Sequence, residues 1–407
     1  MTDPALIRGV ALFVPLLATA ALLRRPSRRE VAALVLGVAW NLAALSGVNA
    51  LALRAGWWTF AAEGGVVAGV PVDLLLGWAF LWGGAAVLAL RALPWPLVAG
   101  AAVWVDLAVM PLGEPVVLLG GDWLLGESVA AVAALVPGLL LARWTLDGRH
   151  LRARVALQAV AASVLMLGLP IALSDVPSRP TWALALVGQA ALVPLAVTAA
   201  AVAEFARAGG TPLPYDPPPR LVTTGPYAYV RNPMQTGMTA VYLLLALLDP
   251  VFLLGAATAA AYGAGLASWH ENALLTEAHG AAWTTYRRTV RPWLPRLRGA
   301  QPDATIWIAA TCGRCRPVEA WLRARNPVRL ALRPAERHPS GLRRMTYERD
   351  DGLTADGPSA WCHAVTHLHL GWAVLAWTLL LPGPRHFTRL CADAFGAGPA
   401  AEPARSR

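Results

Sequence analysis

The chain has 407 residues, of which 57% are hydrophobic and 14% charged, with a mean hydropathy of +0.50. Soluble domains carry about a quarter charged residues, so this composition excludes an ordinary soluble globular protein. All 34 basic residues are arginine and give a net charge of +10. In so apolar a chain that excess reads as loop charge on a polytopic membrane protein, with no nucleic-acid partner.

A ruler of about 20 apolar residues per crossing lays out about nine spans. They run near Ala5–Leu23, Val31–Leu53, Gly69–Leu90, Leu93–Leu112, Leu124–Ala142, Val155–Ser174, Thr181–Phe205, Met238–Leu248 with its flanks, and Val251–Ser268. Asp249-Pro250 gives a tight reversal between the last two, which read as one hairpin short of full membrane depth. "MTDPALIRGVALFV" has one arginine before a full-length apolar span and no small-residue cleavage site, so no removable signal peptide is expected. Arg24, Arg25, Arg28 and Arg29 follow the first span, Arg91 the third, and Arg143, Arg149, Arg152 and Arg154 the fifth; the other loops hold Glu63, Glu114, Asp122 and Asp175. The positive-inside rule therefore puts the ends of odd-numbered spans, the segment Arg207–Gln235 and the C-terminus in the cytoplasm of a bacterial-type inner membrane. Asp73, Asp106 and Glu127 fall within or at the edges of spans, where an ionisable group is either functional or solvated at the interface.

From Gly299 the composition turns to that of a soluble module. "DATIWIAA" reads as a buried strand, "RPVEAWLRAR" as a helix and "PVRLALRP" as a second strand, a βαβ start. A third strand is expected at Arg344–Arg349 and a helix from Ser359. Leu370–Leu381 is too short to span and reads as a core or interfacial helix. The expected fold is an all-α polytopic membrane protein of about nine transmembrane helices, followed by a small C-terminal α/β domain of thioredoxin-like type. The expected boundaries are a membrane domain over 1–205, a second over 206–298, the small domain over 299–396 and a frayed tail over 397–407.

Between two apolar segments lies "GPYAYVRNPMQTG", a polar, proline-broken stretch from Gly225 to Gly237. After the ninth span comes "ENALLTEAHGAAWTTYRRTVRPWLP", starting at Glu271. The first resembles the "GPYxYVRHPxYxG" signature of the isoprenylcysteine carboxyl methyltransferase and phospholipid methyltransferase superfamily, and the second resembles that family's "EExxLxxxFGxxYxxY" with its proline-tryptophan end. Glu271, Leu275, Gly280 and Tyr286 match directly. Asn232 stands where the family has histidine, Gln235 and Trp283 where it has tyrosine, Asn272 for the second glutamate and His279 for phenylalanine. The resemblance covers Arg220 to Pro295. It implies S-adenosylmethionine as cofactor, a membrane-embedded methyltransferase activity and a lipid-like or prenylated acceptor. On the matching positions it implies Glu271 and Arg231 as catalytic residues. It implies cofactor contacts from Tyr227, Arg231, Asn232, Pro233, Gln235, Gly237, Glu271, Asn272, Trp283 and Tyr286.

The residue types suit that chemistry on their own terms. An anion for the cofactor's amino group is available in Glu271, a cation and an amide for its carboxylate in Arg231 and Asn232, and an aromatic wall for adenine in Trp283 or Tyr286. Asn272, His279, Trp283 and Tyr286 recur at helical spacing, which predicts a shared face. Pro226 and Pro233 leave backbone groups unpaired, tolerable near a membrane only beside protein or a water-filled cavity. The bland alternative is a juxtamembrane loop whose arginine meets lipid phosphate. With the family's histidine and one glutamate absent, the set tilts towards an acceptor that is already anionic or weakly acidic, favouring carboxyl or other O-methylation.

Cys312-Gly-Arg-Cys315 ends a predicted strand and opens a helix, the context of a redox pair in which the helix N-terminus stabilises the first thiolate. This region resembles the thioredoxin-like DCC family of thiol–disulfide oxidoreductases, although Ala310-Thr311 replaces that family's aspartate-glycine. A zinc site from Cys312, Cys315, Cys362 and His363 or His367, or an inert remnant, stays open. A transmembrane thiol relay would need cysteines in the spans, and none precedes Cys312. A membrane scaffold with decayed signatures is the third reading.

Reporters placed after Arg407 and near Arg149 should both give a cytoplasmic signal in a topology assay. A periplasmic signal at either would overturn the sidedness read from arginine.

Overall fold

The computed structural model describes residues 3–212, 218–263, 265 and 268–399, with backbone only for 268–271 and 273. Among these residues, seven helices are long and apolar enough to cross a membrane. They are α1 (Pro4–Leu22), α2 (Arg28–Ala55), α3 (Val72–Ala89), α4 (Trp95–Gly113), α5 (Trp123–Asp147), α6 (Leu151–Ala172) and α7 (Thr181–Arg207). The expected eighth and ninth spans form the shorter helices α8 (Pro233–Leu245) and α9 (Phe252–Tyr262). The expectation of about nine spans is corrected to seven and a short hairpin. Pro233 starts α8 late, and the turn at Asp249-Pro250 follows soon after it ends, so 13 residues give a rise of only about 20 Å.

The chain divides into two compact units, Met1–Pro177 with Gly209–Pro217 and Ser178–Ala208 with Pro218–Arg407. In the first, local signals in the sequence set the helix ends. Asp3 caps α1 ahead of Pro4, Ser27 and Glu30 form a capping box for α2, and Gly56 and Gly148 close α2 and α5 in left-handed conformation. The core gathers Leu45, Trp58, Trp82, Leu135 and Leu139 from α2, α3 and α5 and from the short strand β1 (Trp58–Phe60). β2 (Val66–Val67) pairs with β3 (Val70–Pro71), and β1 pairs antiparallel with β4 (Val117–Leu119). The membrane acids separate into two kinds. Asp73 is held by Arg8 at 2.6 Å, whereas Asp106 and Glu127, 6% and 2% exposed, meet each other inside the unit.

The second unit contains α7, which the sequence had placed at the end of a 1–205 domain. It belongs here because it packs along α8, the 225–228 turn and a later helix, α13 (Leu370–Leu380). After α10 (Ser268–Thr289) the chain forms a four-stranded sheet in the order β6-β5-β7-β8. β5 (Ala304–Ile308) pairs parallel with β6 (Leu330–Pro334) and antiparallel with β7 (Thr346–Arg349), which pairs antiparallel with β8 (Thr354–Asp356). α11 (Cys315–Arg323) joins β5 to β6, and α12 (Gly357–Val365) follows β8. Alternation along β5 and the apolar side of α12 bury Ile306, Ile308, Tyr347, Cys362 and Val365 together. α13 and α14 (Pro382–Ala392) close the module. Residues 400–407 of the expected tail lie outside the described residues.

Gly37 of α2 and Gly83 of α3 let two membrane helices meet backbone to backbone. A Cβ on Gly83 would come within 2.4 Å of the Gly37 carbonyl oxygen. Gly83→Val should therefore lower the midpoint of thermal unfolding in detergent, with a cost of about 1–3 kcal/mol from overpacking. An unchanged midpoint would mean that the crossing is loose.

Candidate methyltransferase site

The two signature segments come together in the second unit. The first forms a turn over Gly225–Ala228 and runs on to Pro233, where α8 begins. Gly225 has φ +61, and a Cβ there would lie 2.6 Å from Glu204, so both conformation and space call for glycine. Proline at 226 and 233 removes two donors, and the remaining backbone groups pair with the segment after α10. Arg231 N–H donates to Arg291 O at 2.8 Å, Asn232 N–H to Pro292 O at 3.2 Å, Arg296 N–H to Tyr229 O at 2.9 Å and Ala300 N–H to Ala228 O at 2.8 Å. Tyr286 Oη donates to Tyr227 O at 2.9 Å. Burial pushes the Tyr286 phenol well up, partly offset by the charge of Arg231, so it stays a donor at neutral pH.

Around this seam the expected residues separate. Arg231 places its guanidinium 5.7 Å from the centre of the Trp283 ring, and Arg287 approaches the same ring at 5.8 Å. Trp283 is buried beside Tyr286, and its Nε1 has no hydrogen-bond partner among the described residues. Gln235 and Trp293 both approach Gly263, where a Cβ would strike the tryptophan ring at 2.4 Å. Asn232 precedes α8 without a side-chain cap bond, and Pro233 is buried at its first turn. Tyr227 packs on Phe205 of α7 at 5.2 Å. Gly237 turns its open side to α7, where a Cβ would lie 2.1 Å from Thr198 Oγ1, so its space serves helix packing.

The predicted shared face of Asn272, His279, Trp283 and Tyr286 is corrected. Gly280 (φ 46°, ψ −117°) breaks α10 between His279 and Trp283, so helical periodicity does not carry across it. Trp283 and Tyr286 alone of that set join the buried cluster. The Glu271 backbone lies in the first half of α10, and its side chain is outside the described residues.

Sequence reasoning missed Glu204. It sits 7% exposed near the end of α7, accepts from Thr224 Oγ1 at 2.9 Å, and pairs with Arg207. Its signal was available, since a carboxylate inside the apolar run Thr181–Phe205 is costly unless it is paired. Behind the Gly225 turn, Glu204, Arg207, Gln301, Arg349 and His363 line a cavity of about 30 Å³. That is room for water and too little for a nucleoside.

Residues 182–282 match the phospholipid methyltransferase family. The match runs from the start of α7 through the first signature to Ala282 and supports an integral membrane methyltransferase. Such methyltransferases generally use S-adenosylmethionine, and the seam fits that group. A buried indole N–H without a partner among the described residues, a cation held against an aromatic ring and a broken backbone suit an adenosyl group with a carboxylate. No curated protein and no solved structure gives a match.

The match ends before the C-terminal module, whose cysteines are read from geometry alone. Burial raises the Cys312 thiol, but hydrogen bonds from Cys315 and from the N–H groups of Arg314 and Cys315, with the Arg314 charge, hold it below its ordinary value. Burial, the bond to Cys312 and the negative charges of Cys312 and Glu336 push Cys315 up to about 12. The zinc arrangement does not form among the described residues. His367 has both ring nitrogens engaged, with Tyr347 Oη and Val328 O, each at 2.8 Å, and burial pushes its pKa down to about 4.

Alkylation at neutral pH should therefore modify Cys312 first. Cys391 should follow, and Cys362, buried and pushed up to about 12, should react last. The Cys312 rate should rise with pH through a midpoint below the free-thiol value of about 8.5. A Cys312 rate no greater than that of Cys391, followed residue by residue, would refute the activated thiol.

Proposed function

We propose that this protein is an S-adenosylmethionine-dependent methyltransferase of the membrane, acting on a lipid-like or prenylated acceptor. The observation that carries this reading is the seam itself. Two segments more than fifty residues apart are tied together, bringing the half-buried Arg231 up to the buried pair Trp283 and Tyr286. The paired segments are the two that resemble the family's signatures, and that coincidence supports a cofactor site over an ordinary structural loop.

Bound there, the cofactor would supply an electrophilic methyl group. Arg231 with Asn232 would meet its carboxylate, Trp283 or Tyr286 would wall the adenine, and Glu271 would hold the amino group. Transfer to an incoming nucleophile depends mainly on alignment, so the chain's task is to hold these groups still and keep water out. Arg231 and Glu271 are the proposed catalytic residues. No histidine stands at position 232, which favours an acceptor that needs little deprotonation, such as a carboxylate or an acidic hydroxyl. The arginine distribution puts the site on the cytoplasmic side.

A second activity is proposed for the C-terminal module on a separate observation, the opposite shifts of Cys312 and Cys315. An activated thiol followed by a protonated one at a helix start suits thiol–disulfide exchange, with Cys312 attacking and Cys315 resolving. The sheet order, with α11 between two parallel strands, is compatible with a thioredoxin-like fold.

Purified protein should bind S-adenosylmethionine in a direct titration. Glu271→Gln should weaken that binding by about 1–3 kcal/mol, the scale of a charge-assisted hydrogen bond, and Arg231→Ala by at least as much. Unchanged binding in both folded variants would remove the pocket, and no binding by the parent would favour a scaffold. Asn232→His restores the family residue, and a faster transfer would mark this chain as a weakened copy. Lipid extracts from cells with and without the gene, compared for a one-methylene mass difference, identify the acceptor.

A further inference from the structure

α14 follows α13 without an intervening loop, and none of its side chains is buried. Phe387 and Leu390 are 67% and 55% exposed, and Phe395, just beyond the helix, is 84% exposed. Arg385, His386 and Arg389 lie among them on the same short helix. Leu297, itself exposed, accepts from Leu370 N–H at 2.8 Å, which sets it beside the start of α13. Its neighbours Arg296 and Arg298 repeat the pattern of exposed leucine beside arginine.

Such residues do not stay in water without cause, because a cluster of exposed phenylalanine and leucine marks a contact surface. The occupant follows from what α13 touches. Leu370, Ala373, Val374 and Trp377 pack on Val197 and Ala200 of α7, in the C-terminal half of a helix long and apolar enough to span the membrane. α13 thus runs beside the end of a membrane helix, and α14 starts where α13 stops. An apolar face beside arginines, at that level, has the composition of an interfacial helix, whereas the core of a protein–protein patch is depleted in charge.

We propose that α14, with Phe395, lies in the interface of an anionic lipid leaflet and anchors the C-terminal module to the bilayer surface. Phe387, Leu390 and Phe395 enter the acyl boundary, and Arg385 meets lipid phosphate; each arginine near such a surface contributes roughly a fivefold gain in affinity. The inference needs α7 to span the membrane and is independent of the methyl-transfer reading.

The test uses the full chain in lipid nanodiscs, with Cys312, Cys315 and Cys391 replaced by serine. Nitroxide labels go on Phe387→Cys, Leu390→Cys and Phe395→Cys in separate variants, with Ser340→Cys as an exposed control. Three separate positions keep the test intact if one variant fails to fold. Labels at the three positions should relax severalfold more with oxygen than with a water-soluble nickel chelate, relative to the control. The preference should be larger in phosphatidylglycerol-containing discs than in phosphatidylcholine alone, and Arg385→Glu should reduce that difference. Chelate access equal to that of the control in both lipids would overturn the proposal. So would an oxygen preference that ignores lipid charge. Protection from both relaxants that persists in detergent would assign the face to a second copy or another protein instead.

Discussion

The second unit depends on the backbone seam between the Gly225–Asn232 turn and the segment from Tyr286 to Ala300. Pro226 in the turn and Pro233 directly after it each lack an N–H, and several of the remaining backbone groups find partners in the later segment. Arg291, Pro292, Arg296 and Ala300 supply them through their backbones, and Tyr286 supplies one more through its side chain. Without that pairing, a buried, broken backbone beside the end of a membrane helix would cost several unsatisfied groups. With it, the Arg231 guanidinium, the Trp283 indole and the Tyr286 phenol are held near one another.

The same turn also holds the C-terminal module. Tyr229 is fully buried and reaches out of the signature to donate from its Oη to Thr366 O at 2.6 Å, with Trp377 set edge-on against its ring. On its far side Gly299 lets the chain pass against that ring where any Cβ would collide. One tyrosine therefore links the signature segment to a module carrying a different chemistry, the activated Cys312. A change that loosens the module is expected to reach the turn through Tyr229, because packed neighbours transmit displacement.

Glu204 gives the turn its electrostatic backing. A carboxylate near the end of α7 is tolerable because Arg207 and Thr224 meet it, and its position against Gly225 leaves no room for another residue there. Charge burial, glycine and turn conformation are thus one constraint, shared between a membrane helix and the loop that follows it. The acids of the first unit obey a different rule. Asp106 and Glu127 are buried close to each other, whereas Asp73 is met by an arginine.

The sequence by itself determined the membrane character, the positions of seven helices to within a few residues, and the strand–helix–strand opening of the C-terminal module. Each rests on local information, either apolar length against bilayer thickness or alternation along a strand. The residues gathered at the seam were legible only as two separated motifs, because chemistry named Arg231, Trp283 and Tyr286 without bringing them together. Tertiary structure decided the rest. Gly280 broke the helical face that spacing had promised, since a single left-handed residue leaves no trace in periodicity. Gly237 was turned towards α7 by the close approach of two helices. Glu204 became part of the site because a distant turn folded against it. Those outcomes depend on contacts between residues far apart in the chain, and no local pattern encodes them.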